Sequence, residues 1–210
     1  MPTPSTAVSP APTPTGPALR RALLDHARHL LVTDGYDALS MRKIARAVGC
    51  SATSIYLYFD NKDALTHALI TEGMDKLAVA LEDASADLDD APPRLRALSR
   101  AYVRFGLDNP EYYEVMFQLH PERMARYPAE DYRRARRNVE IFERALEDGR
   151  AAGTVESPNP PDVAASVLWT ALHGLVSLHL ARRVDVRLAG DDLVEAGVRQ
   201  AMAGLGVGVA

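Results

Sequence analysis

Proline placement is the strongest constraint on how this chain can fold. Six of its 14 prolines fall within the first 17 residues, and none lies between Ala18 and Ala91. Proline breaks a helix beyond its first turn, and in the proline-free region apolar residues recur at helical spacing. No run of alternating β-branched residues occurs. The sequence therefore predicts an all-α fold of about nine helices.

Composition separates three segments. Residues 1–17 carry Pro, Thr, Ser and Ala but no charged side chain, which is typical of extended, solvated chain. We expect a disordered arm at 1–17, a small helical domain at 18–64 and a larger helical domain at 65–210. Helices are predicted at about 18–33, 41–48, 52–58, 61–87, from 92, from 110, at 129–151, from 161 and at 191–204.

The balance of polar and apolar residues predicts a soluble protein. Hydrophobic residues make up 47% and charged residues 25% of the chain, as in average globular proteins. The most apolar stretch, 162–181, is interrupted by Ser166, Thr170 and His173. A single cysteine, Cys50, cannot form an internal disulfide, and no leader sequence is evident at the N-terminus. We expect a cytoplasmic location and no membrane partner.

Charge is distributed unevenly along the chain. Residues 1–62 contain seven Lys or Arg and four Asp, a balance of +3, and the remaining residues contain 17 basic and 24 acidic side chains, a balance of −7. A polyanionic partner would therefore dock on the N-terminal third.

Two short helices in that third predict a helix-turn-helix. Ser40 is a suitable N-cap for Met41–Val48, and Gly49 suits its C-terminal end. Ser51 can cap Ala52–Tyr58, so only two residues separate the helices and the chain must turn sharply. In such a motif the second helix can enter the major groove of DNA while the first crosses the backbone.

The segment SMRKIARAVGCSATSIYLYFDNKDAL, from Ser40 to Leu65, resembles the DNA-binding region of TetR-family transcriptional regulators. The matching residues, in the family's order and spacing, are Ile44, Ala45, Gly49, Ser51, Ile55, Tyr56, Tyr58, Phe59, Lys62 and Leu65. The resemblance implies a buried core of Ile44, Ala45, Val48, Ile55, Phe59 and Leu65.

The resemblance also implies how this region meets double-stranded DNA. The residues implied to contact phosphate are Arg42, Ser51, Ser54, Tyr56, Tyr58 and Lys62, and Lys43 can reach phosphate from the start of its helix. The residues implied to lie nearest base edges are Ala52, Thr53 and Leu57. Many family members carry long polar side chains where this chain has Ala52 and Leu57. We therefore expect sparse hydrogen-bonded readout, with more weight on Thr53, thymine methyl groups or DNA shape.

The eighth predicted helix, from Pro161, is apolar nearly all the way round, so one chain alone cannot cover it. We expect a homodimer through helices at about 161–182 and 191–204, which suits a palindromic operator. The segment LWTALHGLVSLHL, Leu168–Leu180, also resembles the Trp-His-Gly type of C-terminal domain in TetR-like regulators. Gly174 lies in mid-helix, where it costs about 1 kcal/mol relative to Ala unless helices cross closely there.

Aromatic residues in the larger domain suggest a binding site for a small, largely apolar effector. Such residues are also common in ordinary cores, and both interpretations stay open. The candidate ligand-binding residues are Tyr102, Phe105, Tyr112, Met116, Phe117, Phe142, Trp169 and His173. The candidate polar anchors are Tyr102, His120 and His173.

Enzymatic chemistry has little support in the sequence. His26 and His29 could share a metal, but no further ligands lie nearby, and neither a Gly-rich phosphate loop nor a serine elbow is present. We expect no catalytic residue, no metal and no cofactor. Our hypothesis is a repressor released from its operator by a ligand. The alternatives are a ligand-independent DNA-binding protein and, with less weight, an all-α enzyme.

Overall fold

The computed structural model describes residues 15–119, 126–185, 187–188 and 190–206. These residues form nine α-helices and no strand, which confirms the all-α prediction. The helices are α1 Gly16–Asp34, α2 Met41–Val48, α3 Ala52–Ile55, α4 Lys62–Ser85, α5 Ala91–Asp108, α6 Pro110–Tyr113, α7 Ala129–Ala151, α8 Pro161–Leu180 and α9 Asp191–Ala203. A π-helical segment, Glu114–Gln118, follows α6.

The predicted bounds of α1 and α3 differ from the structure, and α4 ends at Ser85 where residue 87 was predicted. Helix α1 already begins at Gly16, with Pro17 in its first turn, where proline's fixed φ and missing amide are tolerated. The predicted arm therefore ends too late, and its residues 1–14 lie outside the described residues. Helix α3 ends at Ile55 instead of Tyr58, because the amides of Leu57 and Tyr58 donate only three residues back, to the Ser54 and Ile55 carbonyls at 3.3 and 3.0 Å, and form a turn.

Tertiary contacts divide the chain into two compact units, a smaller one that ends at His67 and a larger one that begins at Ala68. Helix α4 contributes residues to both. The prediction placed the domain boundary after residue 64.

The smaller unit has a tight apolar core of α1, α2, α3 and the start of α4. Leu23, Ile44, Ile55 and Leu65 are completely buried. The core residues implied by the family resemblance are buried with one exception, since Val48 is only half-buried.

Helices α5, α7 and α8 form the centre of the larger unit. Tyr102 of α5, Phe142 of α7 and Leu168 of α8 are almost completely buried. Gly106 allows α5 and α8 to approach closely, because a Cβ there would lie 2.5 Å from Cγ1 of Val176. The apolar interior of this unit is therefore closely packed between these helices.

The π-helical segment Glu114–Gln118 was not predicted. The Leu119 amide donates to the Glu114 carbonyl at 3.0 Å, a bond five residues long in place of the usual four. The wider turn buries Val115 and Met116 and leaves Phe117 half-buried. Single π-helical turns are frequent at functional sites.

Helix α8 is long and apolar enough to cross a membrane by length and composition alone, since an 18-residue stretch of it has a mean hydropathy of 1.5. In the structure, 28% of that stretch is buried inside the protein. One stripe of α8 packs in the core: Ala164, Ala165, Leu168, Leu172 and Val176. On the rest of the helix, Val163, Val167 and Leu178 are exposed. The described part of the chain thus covers one side of α8. It does not by itself provide the predicted burial on more than one side.

Candidate nucleic-acid interface

The α2–α3 pair has the predicted capping. The Lys43 amide donates to Oγ of Ser40 at 3.2 Å, and the Ser54 amide donates to Oγ of Ser51 at 3.0 Å. Gly49 ends α2 in the left-handed conformation, with φ 78° and ψ 24°, which costs other residues steric strain. The two short helices are joined through a sharp turn, as a helix-turn-helix requires.

Helix α3 and the turn after it expose several side chains to solvent. Ser51, Ala52 and Thr53 are exposed, as are Tyr56 at 52% and Leu57 at 80%. Of the three neighbouring aromatic side chains at positions 56, 58 and 59, Tyr56 is exposed, Tyr58 half-buried and Phe59 buried.

Basic side chains lie beside this surface on α2. Arg42, Lys43 and Arg46 are all exposed. Lys43 Nζ lies 3.9 Å from the Asp34 carboxylate, a distant and exposed pair worth little energy. Arg46 was missed as a site residue, although its position four residues after Arg42 places it on the same helix face.

Lys62 is held by groups of the smaller unit. Its Nζ lies 4.0 Å from the centroid of the Tyr36 ring and donates to the Tyr36 carbonyl at 3.3 Å. The Tyr36 hydroxyl is hydrogen-bonded to Asp63, which fixes the ring in turn. An ammonium group has three donors, so this arrangement leaves capacity for a phosphate oxygen. Tyr36 carries no DNA-binding signature of its own, and sequence reasoning missed it.

The serine hydroxyls are engaged locally. The Oγ atoms of Ser51 and Ser54 lie 2.7 Å apart, and Ser54 is half-buried. At the start of α4 the cap is Asn61: its Oδ1 accepts from the Ala64 amide at 2.8 Å.

His26, one of the two histidines considered for a metal, has a local partner. Nδ1 of His26 lies 3.1 Å from the Ala22 carbonyl, which satisfies that nitrogen locally. Within residues 15–119, 126–185, 187–188 and 190–206, no three His, Cys, Asp or Glu side chains cluster as metal ligands would.

An aromatic cluster in the larger unit contains half of the predicted ligand-binding residues. Trp169 and His173 stack with ring centroids 5.1 Å apart, and Phe117 meets the His173 ring edge-on at 5.1 Å. Tyr102 packs against Trp169 at 6.3 Å. Tyr113, which was not predicted, also stacks on His173, at 5.2 Å. Trp169 and His173 are one helical turn apart on α8, which explains why they meet.

Two phenols converge on one nitrogen of His173. The Tyr113 hydroxyl lies 2.6 Å and the Tyr102 hydroxyl 3.1 Å from its Nδ1. Burial lowers the pKa of His173, and a neutral imidazole with Nδ1 as acceptor suits both phenols. Burial also raises the pKa of Tyr102, with the neighbouring Tyr113 adding to it, so both phenols stay protonated.

The other predicted ligand-binding residues lie elsewhere in the same core. Phe105, Met116 and Phe142 are buried. The Tyr112 hydroxyl is bonded to Glu72, and Lys76 Nζ lies 5.5 Å from the centroid of the Tyr112 ring. His120 lies outside the described residues.

A groove of about 800 Å³ runs between α7 and α8. It shares only Trp169 with the predicted ligand-binding set. Its walls combine apolar side chains with a few charged ones: Tyr132, Ala135, Arg136, Val139, Glu143, Asp162, Val163, Ser166, Val167, Trp169, Thr170 and Ala171.

Comparison with known proteins extends over most of the chain. Residues 23–69 match the model of bacterial regulatory proteins of the tetR family, and residues 95–201 match the tetracyclin repressor-like C-terminal domain. The HTH-type transcriptional repressor Rv1474c of Mycobacterium tuberculosis is 30% identical, with 87% of this chain and 94% of that protein aligned.

Solved structures show the same architecture. A protein of unknown function from Rhodococcus sp. RHA1 superimposes with a TM-score of 0.76 and 29% identity, over 90% of this chain and 96% of that one. A tetR-family regulatory protein from Rhodococcus RHA1 gives a TM-score of 0.74 at 23% identity, over 90% and 98% of the two chains, and so agrees in fold.

Proposed function

Because the chain belongs to the TetR family of bacterial transcriptional regulators, we propose that it is a dimeric repressor that binds a palindromic operator and is released by a small, largely apolar effector. The observation that carries the proposal is the exposed α3 surface beside the basic residues of α2. This role is not enzymatic, and a regulator of this kind works in the cytoplasm, where its DNA is.

Phosphate contacts would position each chain on the duplex. Arg42, Lys43 and Lys62 supply charge, and the hydroxyls of Tyr56 and Tyr58 supply donors. Ser51 and Ser54 retain acceptor and donor capacity in part, since they already bond to each other. Ala52, Thr53 and Leu57 would then face base edges in the major groove.

Dimerisation would place two such surfaces on one operator. The exposed side of α8 is apolar, and Gly174 on α8 has no atom within 4 Å of the position its Cβ would take. An open glycine in mid-helix leaves room for another helix to approach closely. Helix α9 offers less apolar surface for the dimer interface than expected, because Val198 and Met202 are buried within the chain. We therefore assign most of the apolar interface to α8.

Effector binding would act on the larger unit and reach α4 through its contacts there. Arg134 of α7 forms two bonds to Asp75 of α4, at 2.7 and 2.6 Å, and Nδ2 of Asn138 donates to the Met74 carbonyl at 3.1 Å. An effector among residues 102–176 that moves α6 or α7 would thus pull on α4. Since α4 begins in the smaller unit, its shift would change the separation of the two DNA-reading surfaces.

The test begins with selection of bound fragments from the source genome, followed by electrophoretic shifts at two salt concentrations. We expect a specific shift that weakens with salt and with Lys62→Ala and Tyr56→Phe. Removing one phosphate-binding cation should lower the salt slope by about 1. Arg133→Ala is the matched control, because Arg133 is an exposed cation of the larger unit. Absence of any fragment bound above non-specific background would contradict the proposal.

Release by an effector is tested in a second experiment. A compound library would be screened for release of the selected operator from the full chain. Release by an apolar compound supports the proposal. DNA binding that no compound alters would instead favour a ligand-independent DNA-binding protein, which the well-filled core around Tyr102 and Phe142 would suit.

A further inference from the structure

We propose that this chain recognises its operator chiefly through thymine 5-methyl groups, which pack against an apolar patch formed by Ala52, Thr53 and Leu57, here called the reading patch. The proposal rests on the proposed DNA-binding function and adds the chemistry by which bases are distinguished.

The reading patch is exposed although the core beside it in sequence is well packed. Leu57 is 80% exposed, whereas Ile55, two residues earlier, is completely buried in the same short segment. Ala52, Thr53 and Tyr56 of the same short segment are exposed as well. Scattered single apolar side chains are common on protein surfaces, but several in one short segment mark a binding site more often.

The reading patch lacks the side chains that usually read bases by hydrogen bonds. Bidentate recognition uses Arg or Lys for guanine and Asn or Gln for adenine, and residues 51–58 contain none of these four. Ala52 and Leu57 offer no polar group at all. The Ser51 and Ser54 hydroxyls bond to each other, and Ser51 also caps α3. Thr53 remains, with one hydroxyl and one methyl group.

The surroundings of the reading patch favour DNA over an apolar protein partner. Exposed Arg42, Lys43 and Arg46 stand on the neighbouring helix. Neither arginine forms an ion pair within the part of the chain that the structure describes. An apolar protein partner would leave these cations without counter-charges, whereas phosphates on both sides of the major groove supply them. Thymine's C5-methyl is the apolar group that the major groove offers.

The experiment removes the methyl groups one at a time. In the selected operator, each thymine is replaced singly by deoxyuridine, which keeps every hydrogen-bonding group and deletes only the methyl. Binding of the full chain is titrated by fluorescence anisotropy. We expect a loss of about fourfold in affinity at one or more thymines of each half-site, as one buried methyl-sized group would give.

Leu57→Ala tests whether this residue makes the contact. We expect the variant to bind the unmodified operator several-fold more weakly and to become insensitive to deoxyuridine at the thymine it contacts, so that the two effects are not additive. Leu188→Ala is the matched control, because Leu188 is an exposed leucine of the larger unit. Since Leu57 has little contact with its own chain, thermal unfolding of the variant should match the wild type.

The outcomes separate this proposal from the proposed function. If the wild type binds the operator but no deoxyuridine lowers affinity by more than about twofold, thymine methyl readout is wrong and DNA binding stands. If Leu57→Ala binds as tightly as wild type, Leu57 does not read DNA, and a protein partner becomes the better explanation for the reading patch. If no operator can be selected, both proposals fall.

Discussion

The reading patch and the exposed side of α8 are both apolar, and they differ in what surrounds them. The reading patch lies beside three exposed cations of α2. The exposed side of α8, with Val163, Val167 and Leu178, instead has Asp162, Ser166 and Thr170 on its own helix and one charge of each sign, Arg136 and Glu143, across the groove on α7. Cations beside an apolar patch suit a polyanion with apolar groups in its groove. An apolar helix face with small polar residues and an open glycine suits a second helix. Exposure thus marks a binding surface, and the surroundings of that surface indicate the partner.

The largest expected effect comes from a charge on the α8 face. Val167→Asp should convert the dimer into monomers, because two carboxylates would be buried without partners. Operator affinity should fall by about 100-fold or more once the second reading surface is removed. Sedimentation and operator titration measure both. Val79→Asp is the control: Val79 of α4 is 56% exposed and Val167 55%, so both carboxylates are solvated in the free chain. An operator-binding Val167→Asp dimer would contradict our view of this face.

Ile55 and Leu57 offer a matched pair within the DNA-binding segment. Ile55→Ala should lower the free energy of unfolding by about 2–4 kcal/mol, because it leaves a cavity in a closed core. Leu57→Ala should change that free energy by less than about 0.5 kcal/mol, since the side chain is exposed. Denaturant unfolding of the two variants checks the contrast. A large destabilisation by Leu57→Ala would show that the reading patch is structural.

Glycines on two helices of the larger unit distinguish packing within the chain from packing between chains. Gly106→Ala should destabilise the chain by about 1–3 kcal/mol, because the new methyl would meet Val176 and the Tyr113 ring. Gly174→Ala meets nothing in its own chain and should favour the isolated helix by up to about 1 kcal/mol. If a partner helix crosses there, the same substitution should raise the dimer dissociation constant about tenfold, a loss of about 1.4 kcal/mol. Unchanged dimerisation would place the crossing elsewhere on α8.

The smallest expected effect is a pH dependence of the unfolding free energy that arises from His173 of α8. Because burial lowers the pKa of His173, the folded chain binds its proton less readily than the unfolded chain does. The stability that neutral His173 contributes is therefore complete above the ordinary histidine pKa of about 6.5. It is lost as the pH falls through the lower pKa of the folded state. His173→Gln should flatten the fall in unfolding free energy below about pH 6.5. Denaturant unfolding of the variant and the wild type at a series of pH values measures the difference.

Local sequence signals predicted the DNA-binding segment well. The Ser40 and Ser51 caps, the Gly49 turn and the exposed Tyr56 all depend on neighbours within a few residues. Lys62 was named for phosphate, but its tie to Tyr36 depends on residues 26 positions apart, for which the sequence carries no local signal. The early end of α3 follows from amide bonds that span three residues instead of four, at Leu57 and Tyr58, which the residue types did not indicate.

The larger unit was predicted at the level of helices but not at the level of contacts. The convergence of Tyr102 and Tyr113 on His173 joins three helices, and helical spacing alone does not reveal which aromatic residues meet. The π-helical turn after α6 shifts Phe117 relative to a regular helix, and no residue type announces such a turn. Helix α8 was predicted to be buried on more than one side, and its exposed valines show how much one chain leaves uncovered.

Whether two copies of this chain read one operator can be measured from the composition of the complex. Sedimentation of the full chain with its selected duplex would measure the number of chains bound, and a footprint would locate the protected half-sites. We expect two chains per duplex, with half-sites about 34–36 Å apart or at multiples of that spacing. A single chain per duplex, or equal affinity for a scrambled duplex, would show that the chain does not bind as a dimer to a specific operator.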